Sequence, residues 1–483
     1  MNTDNWPVAQ KVDYRLIGSA LARVRWELDV NPRWQRDPTF YVEQTVVALQ
    51  EGLMPRPPLS EERSREIVAR AENIPSILEQ ARANLKAVAP FAQLGIDWLS
   101  DIDARMARVE SGVSPLLTSD DQRARWHAAM PKAVRALVEY CEWLKQGLPK
   151  MRADFAMGAP AYEFFLHRVA LLPYSPQQLL TMARQDFERV LAMEAYEHQR
   201  DLSAPHLTLP ANLDEEVARM VKADASTRRY LVDHEILSVP ADLPHWTLRA
   251  APDYVAAFDS FGELDDFTGP SRLHQDGTRW LMPMTMTGEL PYFNKAYAED
   301  PRTTGGHEGV PGHFFQLSLS WRNPDAIRRQ YYDSGANEGL GFYTEEMMLQ
   351  AGLYDDSPRS REIIYSFARL RALRVEVDVK LALGEFTIAQ AADYLARTVP
   401  MDRKTAEGEA SSFASAPGLA IAYEIGKLQI ERLLAERRLQ LGDKFSLRDF
   451  HDYVWSNGNV PLALQRWELA ELDDDVRKAD EAK

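Results

Sequence analysis

The sequence holds a single cysteine, Cys141, among 483 residues. One thiol can build neither an internal disulfide framework nor a thiolate metal cluster, and the surrounding ALVEYCEWL reads as a helix in which cysteine acts as a small buried apolar residue. Long apolar runs are missing too: no window offers the ~18 continuous apolar residues of a membrane-spanning helix. The start, MNTDNWPVAQKVDYRL, has neither the basic nor the apolar region of a secretory signal, so a cytoplasmic protein is expected. Basic residues are in deficit, 56 against 72 acidic ones, and the net charge of −16 repels phosphate backbones and anionic bilayers. Nucleic acid and membrane are therefore not expected as partners. No fixed-period repeat or low-complexity tract is present, which excludes a solenoid.

What is there is an ordinary globular composition, 45% hydrophobic and 27% charged, in a chain too long for one compact core. Most of it reads as helix. In LSEERSREIVARAENIPSILEQARANLKAV, apolar residues from Ile67 to Val88 recur at three- and four-residue spacing behind a capping Ser60, with Pro75 expected to kink or divide the helix. Further helix starts are marked by Ser175 with Pro176 and Gln178, by Thr387 with Gln390, and by Ser446 with Asp449. Between about 203 and 305, prolines at 205, 210, 240, 244, 252, 270, 283, 291 and 301 argue against long helices. Short apolar runs such as Trp280-Leu281-Met282-Pro283-Met284 suggest a few strands. The chain is thus divided into an N-terminal helical lobe (1–203), a loop-rich connector with short strands (204–305) and a helical metal-binding lobe (306–483), which could together form one continuous domain.

The chemistry concentrates in His307-Glu308-Gly309-Val310-Pro311-Gly312-His313. Zinc hydrolases of the HExxH class put two histidines one helical turn apart, with a glutamate after the first that reaches the activated water. Here the second histidine follows after six residues, about 600° of an unbroken helix, and the side chains would diverge. Pro311 removes a helical hydrogen bond and Gly312 admits unusual backbone shapes, so a local bulge is expected to return His313 to the face of His307. A carboxylate completes the common ligand set. Of Glu338, Glu345 and Glu346, the first two are seven apart and share a helical face, while Glu346 points about 100° away. Glu338 is favoured as the ligand and Glu345 as the partner of a ligating histidine.

HEGVPGHFFQ, EGLGFYTE, PGLAIAYEIGKLQI (417–430) and FHDYVWSNGNVPLALQ (450–465) together resemble the domain-of-unknown-function 885 family over most of the chain. The resemblance implies a mainly α, multi-helical, zincin-like fold of two lobes around a central cleft, with a small β element before the metal motif. It also implies a divalent metal and peptidase-like activity. Thimet-type oligopeptidases are similar in carrying a glutamate ligand followed seven residues later by another glutamate, which supports Glu338. Tyr423 is the candidate hydroxyl donor for an oxyanion; packing against Ile421 and Ile425 is its alternative role. Two positions depart from the family: Ser412 replaces an arginine and Ala382 a histidine, which puts specificity or activity in doubt. Arg374 remains as a cation near the site, although arginines at helix edges are commonly solvated or paired.

The expected function is a metal-dependent hydrolase, with one Zn2+ per chain and Mn2+, Co2+ or Fe2+ as alternatives, acting on small peptides or amides. Glu308 would be the general base, Tyr423 the oxyanion donor, His307, His313 and Glu338 the ligands, and Glu345 and Arg374 supporting groups. The alternatives are a non-haem iron enzyme using the same ligands and a non-catalytic helical binding scaffold. His234, soon followed by Pro240, and His451, on a helix surface or cleft wall, are not expected to bind metal.

Overall fold

In the computed structural model, residues 3, 5–243, 245–262, 264–267, 276–282 and 290–482 are described. The chain is mainly helical, and no helix among the described residues is long and apolar enough to cross a membrane. It forms two compact units, each discontinuous in sequence: Glu27–Phe155 with His245–Thr285, and Met1–Trp26 with Ala156–Pro244 and Met286–Lys483. This division differs from three consecutive segments because the 204–305 stretch is shared between the units.

The smaller unit is organised by α1 (Glu61–Asn84) and α2 (Asp120–Gly147), which pack along their length. Ser60 caps α1 by accepting from the Arg63 amide. Of the two expectations at Pro75, a kink or a division, the division does not occur: α1 runs through it as one helix. Proline removes one internal hydrogen bond, but Ile67, Ala71, Ile74 and Leu78 form a continuous buried face beside Trp126, Met130 and Leu137 of α2. Burying four such side chains outweighs the ~3 kcal/mol that an interior proline costs. Cys141 is buried on α2, as expected. The β element is a parallel pair, β1 (Trp246–Ala250) and β2 (Gly277–Leu281), in register Trp246 to Gly277. It belongs to this unit, where the Trp280 indole donates to the Met54 carbonyl at 2.7 Å. Residues 283 and 284 of the apolar run lie outside the described residues.

The larger unit carries α3 (Pro176–Asp201), α4 (Leu213–Asp233), α5 (Arg302–Glu308), α6 (His313–Ser320), α7 (Ser334–Ala351), α8 (Pro358–Leu383), α9 (Ile388–Thr398), α10 (Arg403–Ser415), α11 (Ile421–Leu441) and α12 (Leu447–Ser456). The capping boxes at Ser175 and Thr387 and the cap at Ser446 form as read from sequence. Helix α4 corrects the expectation that no long helix persists after residue 203. It occupies the proline-free interval between Pro210 and Pro240, and the Asn212 side chain caps it by accepting from the Glu215 amide.

Helix α3 packs on α8 and α7 on α11. The α7–α11 crossing is close because glycine meets glycine. A Cβ on Gly339 would lie 2.4 Å from the Gly426 Cα, and one on Gly426 would lie 2.2 Å from the Gly335 carbonyl oxygen. Replacing Gly339 by alanine should destabilise the protein by about 1–3 kcal/mol through overpacking. Gly408→Ala, at an exposed position in α10 with nothing within 4 Å, should stabilise by about 0.5–1 kcal/mol. Urea midpoints of the two variants, moving in opposite directions, would check the packing argument.

Candidate metal centre

Helix α5 is short and ends where its sequence stops supporting a helix. The Gly309 amide still bonds to the Gly305 carbonyl at 2.8 Å, but Pro311 has no amide hydrogen to offer. The chain then folds back over the end of α5. A Cβ at Gly312 would sit 1.7 Å from the His307 carbonyl oxygen, so this position accepts only glycine. Helix α6 starts at once, with His313 as its first residue. The predicted return of His313 is therefore what the structure shows: the two imidazoles lie 4.7 Å apart, centroid to centroid, at 86°.

Both rings turn Nε2 toward Glu338, which stands in the second turn of α7. Glu338 Oε2 is 3.5 Å from His307 Nε2 and 3.2 Å from His313 Nε2. One ligand atom from each residue falls within 4.8 Å of the others. Gly341, one turn beyond Glu338, provides the floor, since a Cβ there would lie 2.9 Å from both rings. Gly306 makes room for Met348, whose Cε would be 2.0 Å from a Cβ.

Glu345, two turns beyond Glu338, is fully buried and reaches the other side of His307, with Oε1 2.7 Å from Nδ1. Arg371 on α8 donates to the same oxygen at 3.1 Å. Glu346 turns away as the helical geometry requires, receiving Arg189 of α3 at 2.8 Å and Lys427 of α11 at 2.9 Å. Burial opposes the His307 imidazolium, but the bonded carboxylates of Glu338 and Glu345 outweigh it and raise its pKa to about 9; Glu308 adds to the effect by charge. Burial likewise acts against the Glu338 carboxylate, yet His313 and His307 hold it well below the usual range. The cluster thus favours positive charge between its donors. His313 Nδ1 is buried with no hydrogen-bond partner among the described residues, and the buried Glu338 Oε2 has the two imidazole nitrogens as its neighbours. Two imidazole nitrogens and one carboxylate oxygen form a donor set that fits a divalent cation.

Tyr423, near the start of α11, stacks on His307 at 6.2 Å and 20°. Burial and the Glu338 charge raise its hydroxyl pKa well above 10, so it stays a hydrogen-bond donor. Arg374 lies 4.6 Å over the Tyr423 ring. It is a buried group rather than a solvated one, and its guanidinium is held by Glu409 through bonds of 2.7 and 2.6 Å. Ser412 is exposed on α10. Ala382 is buried near the end of α8, where its carbonyl accepts from the amides of Met157 and Gly158. His234 is exposed and bonded to its own helix at Tyr230, while His451 is fully buried, which corrects the helix-surface alternative of its two expected positions.

Several groups that tie the site together were not among the candidates named from the sequence. Arg371 is one; its position three residues before Arg374, on the same side of a helix, was the available signal. The others belong to segments recognised without a role. Gln316, one turn after His313, accepts from the Asn337 amide nitrogen at 2.7 Å and donates to the carbonyls of Ala336 and Gly458 at 3.2 and 3.4 Å. Thr344 donates to the Gly306 carbonyl at 3.2 Å.

Two solved structures share this fold. “The structure of a putative lipoprotein of unknown function from Shewanella oneidensis” is 19% identical, with a TM-score of 0.73 over 97% of this chain and 89% of its own. “The crystal structure of the putative lipoprotein from Colwellia psychrerythraea” is 18% identical, with a TM-score of 0.73 over 89% of this chain and 79% of its own. No curated protein matches the chain. Residues 2–469 match the family model described as “Bacterial protein of unknown function (DUF885)”, and the chain belongs to that family.

Proposed function

We propose that this protein is a metal-dependent hydrolase, most simply a zinc enzyme, that cleaves peptide or amide bonds of small peptides. We read its mainly helical fold as zincin-like. One observation carries the proposal: His307 Nε2, His313 Nε2 and Glu338 Oε2 converge in one cluster from three separate helices. A zinc ion held there would polarise a carbonyl and lower the pKa of a water.

The chain's own groups supply the rest. Glu345 accepts the Nδ1 hydrogen of His307 and fixes the ring so that Nε2 faces Glu338. Glu308 follows His307 directly, close enough for its charge to act on that imidazole. It takes the proton of the attacking water and passes it to the leaving amine. The Tyr423 hydroxyl, kept protonated by burial, donates to the oxyanion of the tetrahedral intermediate. Arg374 supports the Tyr423 ring, because Glu409 already occupies its guanidinium. A cytoplasmic location is likewise a proposal; the two structural neighbours are each described as a “putative lipoprotein”, and cell fractionation tests the location of this chain.

Protein purified without chelator should contain about one zinc per chain, and Glu338→Ala or His313→Ala should lower that content severely, as measured by elemental mass spectrometry. Absence of metal from the native protein would refute the proposal in favour of a binding scaffold, and stoichiometric iron with oxygen uptake would favour an oxygenase. Glu308→Gln should keep the zinc and lose at least ~100-fold in kcat/KM on a peptide library; unchanged turnover would remove Glu308 as the base. Gly341→Ala should weaken zinc binding while circular dichroism still reports a helical protein, because its methyl group would crowd both imidazoles.

A further inference from the structure

The site depends on a turn, Gly309 to Gly312, that belongs to neither helix. Two of its carbonyls are bonded into the start of α6: the Phe315 amide donates to Gly309 at 3.1 Å and the Gln316 amide to Gly312 at 2.9 Å. The Pro311 carbonyl is bonded differently. It accepts from the indole Nε1 of Trp455 at 2.6 Å, in a fully buried contact that spans 144 residues of sequence. Trp455 is completely inaccessible to solvent and stands on the inner face of α12 with Phe450, His451 and Val454.

That face also grips the helix bearing Glu338. The Trp455 ring packs at 6.4 Å on Tyr343, which lies between Glu338 and Glu345 on α7, and at 5.4 Å on His451. Tyr343 donates its hydroxyl to His451 Nε2 at 2.8 Å, while His451 Nδ1 donates to the Ile236 carbonyl at 2.7 Å. Burial lowers the His451 pKa to about 4, so the ring is neutral and both bonds keep their direction. Helix α12 is thus a strut between α7, which carries Glu338, and the turn that sets His313.

Resting on the metal-site reading above, we propose that Trp455 is a positioning residue for the metal centre: its indole N–H fixes the Pro311 carbonyl and thereby holds His313 against His307 and Glu338. A purely structural tryptophan would contribute only packing. The two roles separate because a phenylalanine retains much of the ring contact and lacks the donor.

The test compares wild-type protein with Trp455→Phe and, as a packing control, Phe450→Leu on the same helix face. Zinc affinity is measured by chelator competition, and hydrogen–deuterium exchange is followed in the metal-free protein over residues 306–316. Trp455→Phe should bind zinc about 10–100-fold more weakly and exchange faster across 309–316, while Phe450→Leu lowers the melting temperature without either change. Unchanged affinity and exchange in Trp455→Phe would overturn the proposal, as would equal effects from Phe450→Leu. If Trp455→Phe does not fold, benzothienylalanine at 455, which replaces the N–H by sulfur at nearly the same volume, carries the same two outcomes. Should wild-type protein bind no zinc while Trp455→Phe still loosens 309–316, the positioning of the turn stands and the metal reading falls.

Discussion

Between Glu308 and His313 the backbone has four residues in which to end one helix, fold back over its last carbonyl and begin another. Almost every other feature of the centre follows from that constraint. Gly312 must lack a side chain because it passes against the His307 carbonyl. The Pro311 carbonyl finds its donor in Trp455, 144 residues further along the sequence. Gln316, held by Asn337 and by the Gly458 carbonyl, ties the first turn of α6 to the turn preceding Glu338. The four sequence segments that carry the family resemblance are therefore parts of one interlocked object, the third joining through the Gly339–Gly426 contact.

Helix α7 presents an unusual problem, since it is buried on nearly every side from Ala336 to Leu349 while carrying three carboxylates. Each is answered by a different neighbour. Glu338 faces the imidazoles, Glu345 faces His307 and Arg371, and Glu346 meets Arg189 and Lys427. Lys427 is wholly buried. Burial works against its ammonium, yet the carboxylates of Glu424 and Glu346 keep it charged. Removing one partner from such a buried pair costs about 3–5 kcal/mol, whereas the intact pair adds little over an apolar replacement. Its value here lies in orientation: Asp186, Glu346 and Lys427 lock α3, α7 and α11 in one rotational setting. That setting holds Glu338 and Tyr423 on the side of the histidines.

Local signals in the sequence revealed what local physics decides. Ser60, Ser175, Thr387 and Ser446 begin helices because each side chain can satisfy an amide three residues ahead. The seven-residue interval between Glu338 and Glu345 placed both on one face, and the Pro-Gly pair foretold that His313 would return toward His307. The misreadings came where long-range packing overrides local preference. Pro75 does not end its helix because the face on both sides of it is buried against α2. The proline density after residue 203 concealed a long interval without proline, which α4 fills. For His451 and Trp455, nothing within ten residues of either indicates Tyr343 or Pro311 as the partner. Unit boundaries were hidden for the same reason, since the β1–β2 pair joins residues whose neighbours in space lie near Met54.

The difference between Glu338 and Glu345 shows how one residue type on one helical face comes to do two things. A neutral imidazole has one N–H and one lone pair, and its strongest acceptor decides which nitrogen keeps the hydrogen. Glu345 is 2.7 Å from His307 Nδ1, with Arg371 fixing its Oε1, so the hydrogen is drawn to that side. The lone pair on Nε2 is then directed at Glu338, an arrangement of two acceptors that is unfavourable unless positive charge lies between them. A proton provides that charge in the metal-free protein, which is why His307 is raised to about 9 while Glu338 is held low. In the reading proposed above, a divalent cation would compete for the same place with twice the charge and with His313 as an additional donor. The second carboxylate therefore sets the direction of the imidazole, and the first is the group that its Nε2 faces.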